Sequence, residues 1–234
     1  MPTPHIALVA LDIAGTTVEE GGAVYRVLAE VVTDRGAAPT DADIRRWMGA
    51  DKREAIAALL GGTPDPTLVA EVHADFVARL TKAYADVPPT PLAGVPEAIA
   101  VLRAAGIKVA LTTGFGRQIT DPLLASLGWA VGEQLDAVVC ADEVAAGRPA
   151  PFMIQRVMEL TGVTDASTVL AAGDTVLDVR AGLAAGAGVV AGVLTGSQTE
   201  AELQTEHPTH ILAGVRDIPA LLGLRPADFA DPAR

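Results

Sequence analysis

Asp12 is the residue whose type and position first suggest chemistry. It follows the apolar run 6–11 and precedes Gly15 and Thr16, so we expect it at the end of a buried strand. A carboxylate held there can attack an electrophilic centre such as phosphorus and form an aspartyl phosphate. Ala14 occupies a position at which a second acid would be expected. The segment therefore predicts a nucleophilic carboxylate without the usual acid beside it.

Three further segments suit the same chemistry, and each lies at or just beyond the end of a predicted strand. They are 112–114, 147–149 and 173–175, the last together with Asp178. Thr113 and the amide of Gly114 can donate hydrogen bonds to phosphoryl oxygens, and Arg148 can neutralise charge that develops during transfer. Any one of these segments would more often be a helix cap or a turn. All four in this order favour a phosphoryl-transfer site.

Two of the carboxylates also favour a metal ion. Asp12 and Asp174, together with a backbone carbonyl, supply the hard oxygen ligands that Mg²⁺ prefers. Asp178 follows Asp174 by one helical turn, which would place both on the same helix face. We therefore predict that Asp178 orients a water bound to a Mg²⁺ cofactor.

Short apolar runs separated by Ala/Leu-rich helical patterns must position these residues. The runs are 6–11, 107–112, 137–141, 168–172, 189–194 and 210–212. Because they are apolar on both faces and alternate with helices, they predict an α/β fold with a doubly wound parallel sheet. Ligands of such sheets bind beyond the carboxyl ends of the strands, where the polar segments should converge.

One part of the chain, between Val18 and Pro91, shows no convincing strand. Apolar residues at helical spacing mark a helix over 24–32, and Thr40 with Asp43 is typical of a capping box. Further helices are predicted from Asp51 onward and over 67–84. We therefore predict an all-helical cap at 19–90, inserted after the first strand, over a catalytic core formed by 1–18 and 91–234.

Composition excludes several classes of partner. The chain has a net charge of −12, which disfavours binding to nucleic acids or to anionic membranes. Cys140 is the only cysteine, so no intrachain disulfide can form. No apolar stretch reaches the length of a membrane span, and the first residues resemble a strand more than a signal peptide. A cytoplasmic location is the resulting expectation.

The four segments, in this order, resemble the motifs of the haloacid dehalogenase superfamily of phosphotransferases over nearly the whole chain. This resemblance implies the superfamily's Rossmann-like core, and its cap falls where the helical insertion is predicted. It also implies Asp12 as nucleophile and Asp12, the Ala14 carbonyl, Asp174 and Asp178 as the metal site. Ordinary phosphatases of the superfamily carry a second Asp at the position of Ala14.

The Asp-x-Ala-Gly-Thr pattern is instead similar to the phosphonoacetaldehyde hydrolase branch. In that branch a cap lysine forms a Schiff base with the substrate aldehyde, which turns the leaving carbon into an enamine. The segment from Met48 to Lys52 fits the branch's Met-Gly-x-x-Lys pattern, which implies Lys52 as the Schiff-base residue and Met48 as a substrate contact. Ala55 and Phe115 depart from it, since the branch has His and Tyr there.

The residues themselves leave two interpretations of Lys52 open. The positive end of a helix and neighbouring Arg53 would favour a neutral, nucleophilic amine, whereas Asp51 and Glu54 would favour the charged form. The alternative is a solvated lysine in a charged first turn, the commoner fate of lysine.

Three functions are compatible with this sequence. The first is a Mg²⁺-dependent hydrolase that cleaves the C–P bond of phosphonoacetaldehyde or a related carbonyl phosphonate. The second is a phosphomonoesterase or phosphomutase for a small organic phosphate, and the third is an inactive phosphate-binding regulator. In the first two cases the partner is a small phosphonate or organophosphate. A homodimer formed through an Ala/Val-rich cap helix is a further expectation.

Overall fold

A six-stranded parallel sheet with the strand order β5-β4-β1-β6-β7-β8 forms the centre of the molecule. The computed structural model describes residues 5–225, and the ends of the predicted core, 1–4 and 226–234, lie outside the described residues. The strands are β1 (Leu8–Asp12), β4 (Lys108–Thr113), β5 (Ala137–Cys140), β6 (Val169–Gly173), β7 (Val189–Val193) and β8 (His210–Leu212). All six predicted strands are present, with boundaries within two residues of the predicted ones.

The sheet is covered on both faces, as its apolar strands require. In β1, Val9 and Leu11 belong to one hydrophobic cluster, whereas Leu8 and Ala10 belong to another that includes Val157. Successive side chains of a strand point to opposite faces, so the two clusters are the two halves of the core. The helices of the core are α5 (Val95–Ala104), α6 (Arg117–Leu127), α7 (Phe152–Thr161), α8 (Val176–Ala184), α9 (Glu200–Gln204) and α10 (Ile218–Leu221). The predicted α/β class is confirmed.

The strand order places β1 between β4 and β6, where the direction of winding reverses. Asp12 at the end of β1 pairs with Thr112 of β4. Asp174 follows directly after β6. The predicted polar segments therefore meet at one edge of the sheet, the position at which open α/β sheets bind ligands.

Four helices separate β1 from the rest of the sheet. They are α1 (Ala23–Thr33), α2 (Asp41–Arg46), α3 (Lys52–Leu60) and α4 (Pro66–Asp86). The sequence predicted no strand here, but β2 (Val18–Glu19) and β3 (Thr90–Pro91) pair antiparallel where the chain leaves and returns. Two-residue strands are too short to leave a periodic pattern, so sequence analysis missed them. We propose 19–90 as the limits of the cap because this pairing joins its two ends.

The buried side chains of the helical insertion belong to the same hydrophobic cluster as one face of the sheet. Two helices of the insertion, α1 and α4, pack against each other. The residues Val27, Leu28 and Val31 of α1 are almost fully buried, and so are Phe76 and Leu80 of α4. The apolar stripe of α1 is therefore covered within the chain and does not offer a dimer surface. No helix in residues 5–225 is long and apolar enough to cross a membrane.

We predict that Phe76→Ala lowers the free energy of unfolding by about 3–5 kcal/mol, because it leaves a cavity at a fully buried site. Chemical denaturation would measure the change. Leu160→Ala is the control: Leu160 is 50% exposed, and its truncation should change stability by no more than about 0.5 kcal/mol. Equal losses in the two variants would contradict the assignment of Phe76 to the core.

Candidate active site

Arg148 is the buried centre of the candidate site, with 3% of its surface exposed. Its Nη1 donates to Oδ1 of Asp12 at 2.7 Å, and its Nε lies 2.8 Å from Oδ1 of Asp178. Its Nη2 donates to the carbonyl and to the hydroxyl of Thr112, at 2.9 and 2.8 Å. The guanidinium is thereby held in one orientation beside the predicted nucleophile.

Asp174 lies on the other side of Asp12 and is 2% exposed. One of its oxygens accepts from the hydroxyl of Thr16 at 3.0 Å, and the other accepts from the amide of Ser197 at 3.3 Å. Burial, then the negative charges of Asp12 and Asp178, raise the pKa of Asp174. A carboxyl in these surroundings needs a nearby cation to remain ionised.

Asp178 is placed differently from the sequence prediction. Asp174 precedes the helix, so the two acids do not share a helix face; Thr175 is the N-cap of α8 and Asp178 completes a capping box with it. Oδ2 of Asp178 accepts from the amide and hydroxyl of Thr175, at 3.1 and 2.5 Å, while Oδ1 faces Arg148. The strand β6 ends before Asp174, and α8 begins after Thr175. Asp178 therefore lies in the first turn of α8, where its side chain faces the guanidinium of Arg148.

The donor set fits Mg²⁺. Asp12 and Asp174 are buried, and together with Ala14 they line one small cavity, described below. The carbonyl of Ala14 accepts no hydrogen bond from residues 5–225. A Cβ added at Gly15 would lie 2.8 Å from an oxygen of Asp174, so only glycine leaves space beside this carboxylate. Three buried carboxylates against one guanidinium leave a surplus of negative charge that a divalent cation would balance.

A second acidic group contributes no residue to the lining of this cavity. Among the described residues, ligand atoms of Cys140, Asp142 and Glu143 lie within 4.8 Å of one another, which those of Asp12, Asp174 and Asp178 do not. Glu143 is paired with Arg117 at 2.9 Å and also accepts from the Cys140 amide. Burial raises the pKa of the Cys140 thiol to about 11, so it stays protonated. These contacts account for the closeness of the three side chains without a bound metal ion.

Lys52 is buried, in contrast to the solvated lysine that the sequence left open. It is the first residue of α3 and is 3% exposed. Its Nζ donates to the carbonyl of Ala50 at 2.6 Å and lies 5.7 Å from the centre of the Phe115 ring. The helix begins here because the side chain of Asp51 accepts from the amides of Arg53 and Glu54.

The pKa of Lys52 is lowered to about 8, mainly by burial. Asp51 opposes the shift, as predicted, and so do Asp12 and Asp178, whereas Arg148 favours the neutral amine. Arg53, which the sequence suggested as a cause, is not among the causes of this shift. Burial lowers the pKa of Lys52, whereas the sequence suggested that its neighbours in the chain would lower it. Burial depends on the whole fold.

A cavity of about 20 Å³ joins the amine to the strand ends. It is lined by Asp12, Ala14, Val24, Tyr25, Gly49, Lys52, Thr113, Gly114, Phe115, Arg148, Asp174 and Thr175. Most predicted site residues therefore meet here. Thr16, Met48 and Asp178 do not line it: Thr16 supports Asp174, Asp178 pairs with Arg148, and the Met48 sulfur accepts from the Ser197 hydroxyl at 2.7 Å. A volume of this size holds about one water molecule.

Glycines allow the insertion to approach the strand ends so closely. A Cβ added to Gly49, which has a φ of +80°, would lie 2.5 Å from the hydroxyl of Thr175. A Cβ added to Gly114 would overlap the carbonyl of Ala50. The space left between the insertion and the sheet is therefore too small for an organic phosphonate.

Two residues of the site were missed by sequence analysis, and a third, Thr112, belonged to a selected segment but was given no role of its own. Thr112 binds Arg148, Ser197 bonds Asp174 and Met48, and Tyr25 lines the cavity from α1. The doublet Thr112-Thr113 at a strand end was a signal for the first. Ser197 belongs to a loop with no motif. Tyr25 lies beside the apolar stripe of α1, so its orientation depends on how that helix packs.

The sequence profile of haloacid dehalogenase-like hydrolases matches residues 6–186. The chain belongs to this family of hydrolases. Two curated phosphonoacetaldehyde hydrolases place it in the phosphonatase-like branch of the superfamily: the one from Bacillus cytotoxicus is 34% identical, and the one from Bacillus thuringiensis strain Al Hakam 36%. Each alignment covers 77% of this chain and 73% of the relative.

A solved structure agrees with the fold of this hydrolase. The crystal structure of a phosphonoacetaldehyde hydrolase-like protein from Oleispira antarctica has a TM-score of 0.78 to it at 23% identity. The superposition covers 94% of this chain and 92% of the other. At that identity the likeness concerns the fold alone.

We predict that Lys52→Met stabilises the hydrolase by about 1–3 kcal/mol at pH 7, because a buried charge is removed. The pKa of Lys52 is about 8 in the fold and 10.5 in an ordinary lysine, so the unfolded chain binds more protons between these values. Wild-type stability should therefore rise with pH through this window, and the advantage of the variant should disappear.

Denaturation at pH 7 and near pH 10 would measure this difference. Lys82→Met is the matched control, since the Lys82 side chain is 75% exposed and its replacement should have little effect at either pH. A destabilised Lys52→Met variant at pH 7 would contradict the prediction.

Proposed function

We propose that this chain is a Mg²⁺-dependent phosphonatase-like hydrolase that cleaves the C–P bond of phosphonoacetaldehyde or a related carbonyl phosphonate. The observation that carries the proposal is a buried amine, Lys52, lining the same small cavity as Asp12 and Arg148. A phosphoryl site alone needs no such amine. The two curated relatives, both phosphonoacetaldehyde hydrolases, support the same substrate class.

The phosphorus half of the reaction belongs to the residues at the strand ends. Arg148, Thr113 and the Gly114 amide offer donors to the phosphoryl oxygens, and Asp12 attacks phosphorus to form an aspartyl phosphate. Asp12, the Ala14 carbonyl and Asp174 would hold Mg²⁺, which when bound neutralises phosphoryl charge. Arg148 faces Asp12 at 2.7 Å and keeps its carboxylate oriented until substrate arrives.

The carbonyl half belongs to Lys52. With a pKa of about 8, the amine is partly neutral at physiological pH and can add to an aldehyde. Loss of water, with one proton taken up from solvent, gives a protonated imine, which accepts the electron pair of the C–P bond when phosphorus is transferred to Asp12. The leaving group is then an enamine carbon, so no acid is required at Ala14. Water subsequently hydrolyses the aspartyl phosphate. The enamine carbon takes a proton from solvent to give an imine again, and hydrolysis of this imine frees Lys52 and the carbonyl product.

We expect borohydride to trap Lys52 covalently when the hydrolase is incubated with phosphonoacetaldehyde, because the imine is reduced to a stable amine. Mass spectrometry of a peptide digest would locate the adduct. Lys52→Arg keeps the positive charge but should lose trapping and acetaldehyde release entirely. Lys82→Arg is the matched control and should retain both.

Absence of trapping and of acetaldehyde release in the wild type would overturn the Schiff-base mechanism. If Lys52→Ala then hydrolysed small phosphate esters as fast as the wild type, the chain would be a phosphomonoesterase or phosphomutase. Absence of any Mg²⁺-dependent turnover on a panel of phosphates and phosphonates would identify a phosphate-binding regulator.

We expect removal of divalent cations by EDTA to abolish turnover, and added Mg²⁺ to restore it. Asp174→Asn should weaken Mg²⁺ binding, measured by calorimetry, at least about 10-fold, because it removes a charged oxygen ligand. Asp142→Asn, in the second acidic group, should bind Mg²⁺ as the wild type does. Equal losses in both variants would refute Asp174 as the metal ligand.

A further inference from the structure

Tyr25 stands where two cavities of the structure meet. Beside the small cavity lies a second one of about 210 Å³, and Ala14, Tyr25 and Asp174 line both. The outer cavity also contains Glu19, Glu20, Thr195 and Ser197. The tyrosine therefore borders the space beside Ala14, the position that carries a methyl group in place of an acid.

The hydroxyl of Tyr25 is an unengaged donor. It makes no hydrogen bond within residues 5–225. Two other donors around the small cavity have other roles, since Arg148 is proposed to bind the phosphoryl oxygens and the Thr175 hydroxyl donates to Asp178. Thr113 lies beside Gly114, on the side proposed for the phosphoryl oxygens. The phenol is therefore the donor available to the organic half of a substrate.

The surroundings keep this phenol protonated. Burial is the largest cause that raises the pKa of Tyr25 above its usual value. Glu20 and Asp178 act in the same direction. A group that does not ionise here can donate a hydrogen bond throughout the working pH range, but it cannot readily give up its proton.

We propose that Tyr25 donates a hydrogen bond to the oxygen atom of the substrate's organic half, from the space that it borders beside Ala14. The inference rests on the proposed function, in which that oxygen is the aldehyde oxygen of the carbonyl attacked by Lys52. Tyr25 and Lys52 line the same cavity from different helices, α1 and α3. The cavity as it stands has room for about one water molecule, so it must widen to admit substrate; an aldehyde bound by both residues would then present its carbon to the amine and its oxygen to the phenol.

The hydrogen bond assists addition without a net proton transfer from Tyr25. The Lys52 nitrogen forms a bond to the carbonyl carbon, and the π electrons of C=O move to oxygen. The phenol stabilises the growing negative charge until a proton from the nitrogen reaches that oxygen. When the hydroxyl group leaves as water with a proton taken from solvent, the nitrogen keeps its second proton, which gives the protonated imine of the proposed function.

Single-turnover trapping with phosphonoacetaldehyde and borohydride tests the assignment. Tyr25→Phe removes only the hydroxyl and should slow formation of the Lys52 adduct by about 10- to 100-fold. Tyr84→Phe is the matched control, because the Tyr84 hydroxyl is buried, has no partner among residues 5–225 and lies outside the small cavity. It should be trapped at the wild-type rate, and both variants should melt near the wild-type temperature.

The trapping rates distinguish the role of Tyr25 from the proposed function. A wild type that is trapped and a Tyr25→Phe variant trapped at the same rate would overturn the role of Tyr25 and leave the proposed function intact. A wild type that is never trapped would overturn both. If Tyr25→Phe lowers the melting temperature, the trapping rates of Tyr25→Gln and Tyr25→Leu are compared instead. Only glutamine retains a donor, so equal trapping rates in this pair would refute the hydrogen bond.

Discussion

The buried charge of Arg148 is the constraint on which the rest of the site depends. Moving an ion out of water costs several kcal/mol unless it is fully paired. Here the partners come from three separate segments: Asp12 of β1, Thr112 of β4 and Asp178 of α8. The guanidinium can be satisfied only when the carboxyl ends of these elements are assembled, so the stability of the fold and the geometry of the nucleophile are coupled.

Charge is divided unequally between the sheet and the insertion. The core that contains the sheet contributes three buried carboxylates and one arginine: Asp12, Asp174, Asp178 and Arg148. The insertion contributes the amine of Lys52. The amine has a lowered pKa because contact between the two parts removes it from water. If the insertion moved away, Lys52 would be solvated and its pKa would return towards the ordinary value. The contact between insertion and sheet that buries Lys52 therefore also makes its amine more nucleophilic.

Local sequence patterns were sufficient wherever short-range forces dominate. The six strands of the sheet, five of them buried, followed from apolar runs, and the capping box of Thr40 and Asp43 is present at the start of α2. Patterns failed where a residue's role depends on distant contacts. Asp178 was expected to share a helix face with Asp174, but it caps α8 and binds Arg148. The pairing of β2 with β3 joins segments far apart in the chain, so no local signal announced it.

The sequence by itself determined the fold class, the superfamily and the residues that gather at the strand ends, because parallel strands must finish at a common edge. Only the tertiary structure decided the state of Lys52 and the position of Tyr25. Both residues sit on helices of the insertion, and their burial is set by how that insertion meets the sheet. The exposure and electrostatic surroundings of a side chain are properties of the whole packed molecule, which the neighbours of a residue in sequence do not specify.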